Sequence, residues 1–224
     1  MLYILLMVVT LALGLGSQAY IKNTYKKWSQ VQNAQGITGY QAARAMLDRN
    51  GLQHVEILHN GGAALSDFYD PRSDTLNLSD DSYNGTSVAS ISVACHEAGH
   101  AVQHAKNYMG VKVREVVLPL AQLGSNIWVF VLLAGFFLQM LNLVWAGIIL
   151  FALTVLFQIV TLPVEFDASK RAIESIEGTV ALPAEQDRGA RDMLKSAAFT
   201  YVAAALSSIL TLLYYVSLAN NNNR

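Results

Sequence analysis

Residues 143–163 read LVWAGIILFALTVLFQIVTLP, and the chain then continues VEFDASKRAIESIEG. The first stretch carries no charge, and an α-helix needs about 20 apolar residues to cross the hydrocarbon core of a bilayer. Ionisable groups resume abruptly at Glu165. Three other stretches have the same character: LYILLMVVTLALGLGSQA at 2–19, VVLPLAQLGSNIWVFVLLAGFFL at 116–138 and AAFTYVAAALSSILTLLYYVSLA at 197–219. Only QMLN separates the second from the third, so those two are expected to form a hairpin. Composition agrees. The chain is 53% hydrophobic and 14% charged, where soluble domains carry about 25% charged residues. The expected class is a mostly α membrane protein with four transmembrane helices in a lipid bilayer. A net charge of −1 gives no basic surface, so no nucleic acid is expected as a partner.

Residues 2–19 lack the positive n-region of a secretory signal, and Lys22, Lys26 and Lys27 follow them instead. They read as a membrane segment rather than a cleaved leader. Of the fifteen Lys and Arg residues, nine lie in 21–115, five in 164–196, and Arg224 is the exception. Four crossings put those two regions on one side. Lys22, Lys26, Lys27, Arg114, Lys170, Arg171, Arg191 and Lys195 lie near segment ends, where the positive-inside bias counts most. Both regions are therefore expected in the cytoplasm, with the N-terminus, the QMLN turn and the tail from Ala219 facing outward.

The larger polar region opens with ITGYQAARAMLDRN, an amphipathic helix over 37–50. Thr38 with Gln41 forms a capping box and Gly51 suits the position after the helix. HVEIL at 54–58 reads as a strand, Asn60-Gly61-Gly62 as a turn, and DFYDPRSDTLNLS at 67–79 as extended chain, a turn at Asp70-Pro71 and a second strand through Leu76 and Leu78. A long helix is expected over 85–106, giving a small α+β subdomain across 21–115. In 164–196 a helix continues out of the third membrane segment to Gly178, and Pro183 starts another that enters the fourth.

The long helix contains ISVACHEAGHAVQHA at 91–105. His96 and His100 are four apart and share a helical face, so both imidazoles can reach one ion. Glu97 is rotated about one-third of a turn from them, placed to act as general base on a water that the ion activates. HExxH has only three fixed positions, but here it lies on a helix among small residues, with Gly99 expected to clear space beside the metal. Cys95 reads as a buried small hydrophobe.

A catalytic zinc needs a third protein ligand and one open position. The metzincin spacing would place a histidine at 106, which is Lys106. His104 is about 12 Å along the axis from His96, too far to share the ion. The preferred third ligand is Glu165, a carboxylate at the mouth of an apolar helix that needs a partner there. Asp167 lies about 200° round the helix and is the reserve. Two imidazoles and a carboxylate suit Zn²⁺. Tyr69, Tyr83, His54, His59 and Arg171 are candidates to stabilise an oxyanion, and the strand at 74–79 is a candidate to pair with a substrate backbone.

ITGYQAARAMLDRNGL, YDPRSDTLNLS, ACHEAGHAVQ, LPVEFDASKRA and GARDMLKSAAFTYVAAALSS span nearly the whole chain. Together they resemble the YugP-type neutral zinc metallopeptidases, a family of bacterial membrane proteins. The resemblance implies an integral membrane zinc peptidase of the bacterial cell membrane; taken with the charge placement, the α+β region is expected to be a zincin-like cytoplasmic subdomain acting on a protein or peptide substrate. It implies His96, His100 and, by analogy with the related HtpX-type membrane proteases, Glu165 as ligands, and Glu97 as base. Two positions depart from the expected pattern. Phe68 stands where the family commonly has histidine before YDP. Ser169 stands where thermolysin-like and HtpX-like enzymes carry an aspartate that orients a zinc-bound histidine. The alternative is a zinc-binding membrane regulatory or scaffold protein without proteolytic activity, which would have no need of Glu97. A transporter is disfavoured, since Gln122, Asn126 and Gln158 in the segments are few and uncharged.

Overall fold

Four helices carry the apolar segments: α1 (Leu2–Trp28), α5 (Met109–Phe137), α6 (Leu141–Thr179) and α7 (Ala184–Asn221). Each is long and apolar enough to cross a membrane. They belong to a computed structural model that describes residues 1–221; the exceptional cation Arg224 lies outside the described residues. Two compact units emerge. One contains residues 1–17, 109–163 and those described from 200 onward, and the other residues 18–108 and 164–199, so α1, α6 and α7 contribute to both.

In the first unit the expected hairpin is present. Gln139 adopts a left-handed φ of 54° between α5 and α6. Small residues let the two backbones close. A Cβ on Gly124 would come 2.4 Å from the Leu150 carbonyl oxygen, one on Gly135 2.6 Å from the Val144 nitrogen, and one on Gly147 2.8 Å from the Leu132 backbone. Membrane helices associate by this kind of close packing, because lipid offers no hydrophobic drive between them. Phe130, Leu133, Ile149 and Leu213 remain exposed, as side chains facing lipid would.

The second unit is built around α4 (Val88–Ala105). Ser87 caps it by accepting from the Ser90 N–H at 3.0 Å, so it starts slightly later than the sequence suggests. α2 (Gly39–Arg49) carries the expected capping box at Thr38 and Gln41, and Gly51 follows with φ +77°. The Arg44 guanidinium donates to the Leu52 and Val55 carbonyls and so steers the chain into β1 (Glu56–His59). β2 (Phe68–Asp70) and β3 (Thr75–Leu78) complete a three-stranded sheet of order β1-β3-β2, with β1 parallel and β2 antiparallel to β3. β3 is therefore central and both its edges are taken. It cannot receive an added strand, contrary to the sequence expectation; β2 is an outer strand. A short helix, α3 (Asp80–Tyr83), precedes α4. Pro183 lies just outside α7, and its carbonyl accepts from the Asp187 N–H.

α4 is buried almost all round, as a helix apolar on every face must be. Ala94, Ala98 and Val102 pack in one core with Ala42, Ala43 and Met46 of α2, Leu76 and Leu78 of β3, and Ala172 and Ile176 of α6. Gly39 makes a very close approach there: a Cβ would come 2.1 Å from the Ser82 carbonyl oxygen and 2.8 Å from that of Ser90. Both obstacles are backbone and cannot swing aside. Gly39→Ala is expected to destabilise the protein by at least about 1–3 kcal/mol, the usual cost of overpacking. Gly14→Ala, where a Cβ meets nothing within 4 Å, is expected to leave the thermal midpoint in detergent unchanged.

Candidate metal centre

His96 and His100 project from successive turns of α4, their ring centroids 4.9 Å apart and nearly perpendicular. Glu165 projects from α6 between them. Its Oε2 lies 3.3 Å from His96 Nε2 and 3.6 Å from His100 Nε2. One ligand atom from each of the three residues lies within 4.8 Å of the others. His96 and Glu165 are buried, and His100 is nearly so.

The hydrogen-bond pattern tests whether these residues fit a cation. Gln103 Oε1 lies 3.0 Å from His100 Nδ1. The Gln103 Nε2 end faces the Val164 carbonyl at 2.7 Å and Asp167 Oδ2 at 2.8 Å. Those two groups only accept, so the amide nitrogen belongs there and Oε1 faces the imidazole. His100 Nδ1 then donates, and in the neutral ring Nε2 directs a lone pair at a carboxylate oxygen. Burial lowers the His100 pKa, but Glu165 and Glu97 outweigh it and raise it, so the pair favours a positive charge, a proton or a cation, between ring and carboxylate. A proton shared by charged partners draws them to about 2.7–2.9 Å. Two ligand atoms each about 2.0–2.1 Å from a tetrahedral zinc stand about 3.3 Å apart. The observed 3.3 and 3.6 Å are close to that spacing of co-ligands, and the donor set suits zinc.

Glu97 is next to this group but turned from it. Its Oε2 accepts from the Tyr69 backbone N–H of β2 at 3.2 Å. Burial pushes its carboxyl above the ordinary range, while His96 and His100 pull it partly back. Burial also pushes the Cys95 thiol up to about 12, which leaves it a buried small residue as the sequence suggests. Asp167, the reserve ligand, instead joins Gln103 and Arg171.

The departure at Ser169 is compensated in place: its Oγ lies 3.3 Å from His96 Nδ1, where a hydroxyl can serve as the orienting partner. The His104 ring lies tilted against that of Tyr69, centroids 5.3 Å apart, and is not one of the three grouped residues. Among the oxyanion candidates, the Tyr69 hydroxyl donates to Asp74 and Arg171 is paired with Asp167. His54 lies on Asp74, His59 on Asp80, and Tyr83 packs against Tyr40 and His59. Sequence reasoning missed Gln103; its signal was a lone amide three residues after His100 in an apolar run.

Gly99 does clear space, but for a helix and not for the metal. A Cβ there would come 2.8 Å from the Ala168 carbonyl oxygen and 3.3 Å from its Cα. α4 and α6 therefore touch backbone to backbone three residues along from Glu165.

The sequence model of a family described as "Putative neutral zinc metallopeptidase" matches residues 3–220. The chain is 40% identical over 221 residues to the "Putative membrane protease YugP" of Bacillus subtilis (strain 168), covering 99% of this chain and 98% of that protein. No solved structure matches.

The Gly99 contact yields a test at a residue that offers no ligand atom. Gly99→Ala is expected to push α6 away from α4 and weaken zinc binding by about 10-fold, on the scale of losing an outer-shell partner, and Gly99→Val by more. Chelator competition on the purified protein measures both. Unchanged affinity in both variants would mean that the contact does not set the distance between Glu165 and the histidines.

Proposed function

The chain belongs to the family described as "Putative neutral zinc metallopeptidase", and from that premise we propose that it is an integral-membrane zinc endopeptidase working at the cytoplasmic face of the bacterial cell membrane. One observation carries the reading: potential ligand atoms of two imidazoles and a carboxylate lie within 4.8 Å of one another beside a fourth ionisable group, Glu97, that is not among them. A relict or purely structural site has no use for that fourth group.

His96, His100 and Glu165 would hold the ion. When bound, zinc supplies Lewis acidity towards a scissile carbonyl and lowers the pKa of its water. Glu97 would accept a proton from the attacking water on a carboxylate oxygen and would return it to the nitrogen of the leaving amine. Its burial favours the neutral form, which makes it a stronger base than a solvated carboxylate. Sheet geometry bears on substrate placement as well. The Tyr69 N–H of the outer strand β2 already reaches the base, so an extended peptide laid along that strand would run past Glu97.

The cytoplasmic assignment rests on charge. Lys22, Lys26, Lys27, Arg114, Lys170, Arg171, Arg191 and Lys195 lie near the ends of the apolar segments in the sequence, in the same two polar regions that carry His96, His100 and Glu165. The protein or peptide substrate would meet the site from the cytoplasmic side.

Glu97→Gln is expected to keep zinc and lose casein cleavage by about 10²-fold or more, the scale of general-base catalysis. Glu165→Ala is expected to lose both. Metal content by mass spectrometry, with proteolysis on detergent-purified protein, separates the cases. Zinc in the wild type without cleavage of casein or a peptide library would favour a binding protein instead. Orientation is tested by labelling. With the buried Cys95 replaced by Ala, Gln139→Cys is expected to react with an impermeant maleimide in intact cells. Asn107→Cys should react only after permeabilisation, and the reverse result would put the site outside.

A further inference from the structure

Gln103 is fully buried, yet every hydrogen-bonding end of its amide is engaged. Nε2 donates to the Val164 carbonyl and to Asp167 Oδ2, and Oε1 accepts from His100 Nδ1. The amide cannot be reversed without setting its oxygen against two acceptors inside a core, where an unsatisfied polar group is costly. Asp167 is itself fixed: the Arg171 Nε donates to its Oδ2 at 2.6 Å, and the Arg171 guanidinium lies over the Tyr108 ring at 5.9 Å. The direction of hydrogen bonding is thus transmitted from Arg171 through Asp167 and Gln103 to one imidazole nitrogen.

His96 has no equivalent. Its Nδ1 partner is the Ser169 hydroxyl, which rotates and can donate or accept. One histidine faces an amide oxygen that can only accept, and the other a hydroxyl that can do either; Glu165 lies on the Nε2 side of both.

We propose that Gln103, held by Asp167 and Arg171, is a positioning residue that presets His100 as an Nε2 ligand before any ion arrives. The inference rests on the reading of His96, His100 and Glu165 as a zinc site. Without the amide acceptor, His100 is free to place its hydrogen on the nitrogen that has to coordinate, and binding would include the cost of reversing it. Which imidazole nitrogen is available is commonly decided by the hydrogen bond of the other. Asp167 therefore acts one residue removed from the ion, through Gln103.

The test uses the full chain, metal-free, in detergent, labelled with ¹⁵N-histidine. Long-range ¹H–¹⁵N spectra of the neutral rings report which nitrogen bears hydrogen, with His100 assigned by its loss in His100→Gln. The wild type is expected to show His100 with hydrogen on Nδ1, and this measurement needs no variant to fold. Gln103→Met, similar in length but lacking the acceptor, is expected to lose that preference. Its zinc dissociation constant should rise about 10- to 100-fold, and Ser169→Ala should cost less. Asp167→Asn should weaken binding alone but add no more than about twofold in the Gln103→Met background, as expected for residues acting in series. Hydrogen on His100 Nε2 in the wild type would overturn the inference, as would zinc affinity in Gln103→Met within about twofold of wild type. A wild type that binds no Zn²⁺ overturns the zinc reading instead, and the tautomer spectrum still decides whether Gln103 sets the ring.

Discussion

The approach of α4 to α6 at Gly99 and Ala168 is the constraint on which the centre depends. Helices separated by ordinary side chains stand about 8–10 Å apart, and a short carboxylate on one then struggles to reach the inner face of the other. Here a missing Cβ lets the Ala168 backbone settle against Gly99. Glu165 gains both imidazoles, Ser169 gains His96 and Gln103 gains the Val164 carbonyl. These contacts share one helix–helix interface, so they form together or not at all.

That interface is also where a buried helix carries its polar residues. α4 has Ile91, Ala94, Ala98 and Val102 in the core, and a polar side chain among them is tolerated only if it is paired. His100 is answered by Gln103, Gln103 by Asp167, and Asp167 by Arg171, so the pairing runs outward from the core to a guanidinium. Glu97 is answered from the other side by the Tyr69 N–H of an outer strand. The two histidines and Glu97 thus sit on one helix but are held by different neighbours: α6 supplies the partners of His96 and His100, and the sheet supplies the partner of Glu97. This is the separation that acid–base work beside a metal requires, because the base must remain free of the first coordination shell.

Much of this was legible in the sequence. Uncharged runs near twenty residues marked the four apolar helices, because a bilayer admits little else. The Thr38–Gln41 capping box, Gly51 and the QMLN turn are local chemistry, and each appears where its residues place it. The pairing of His96 with His100 follows from helical periodicity alone. Glu165 was legible less directly, as a carboxylate that needed a partner at the end of an apolar run.

What the tertiary structure alone decided is everything that depends on which surfaces meet. Strand order is one case: Thr75–Leu78 reads as a strand from its alternation, but only the pairing shows it to be central and closed to addition. Gly99 is another, since a glycine beside two histidines reads equally well as room for an ion or for a backbone. Gln103 and Ser169 are the third. A polar side chain's direction in the sequence is ambiguous until its acceptors are placed, and those acceptors come from a helix more than sixty residues away. The sequence determined which residues could bind a metal, because periodicity and charge are local. Which groups face each imidazole nitrogen was decided by the fold, because those groups come from distant segments.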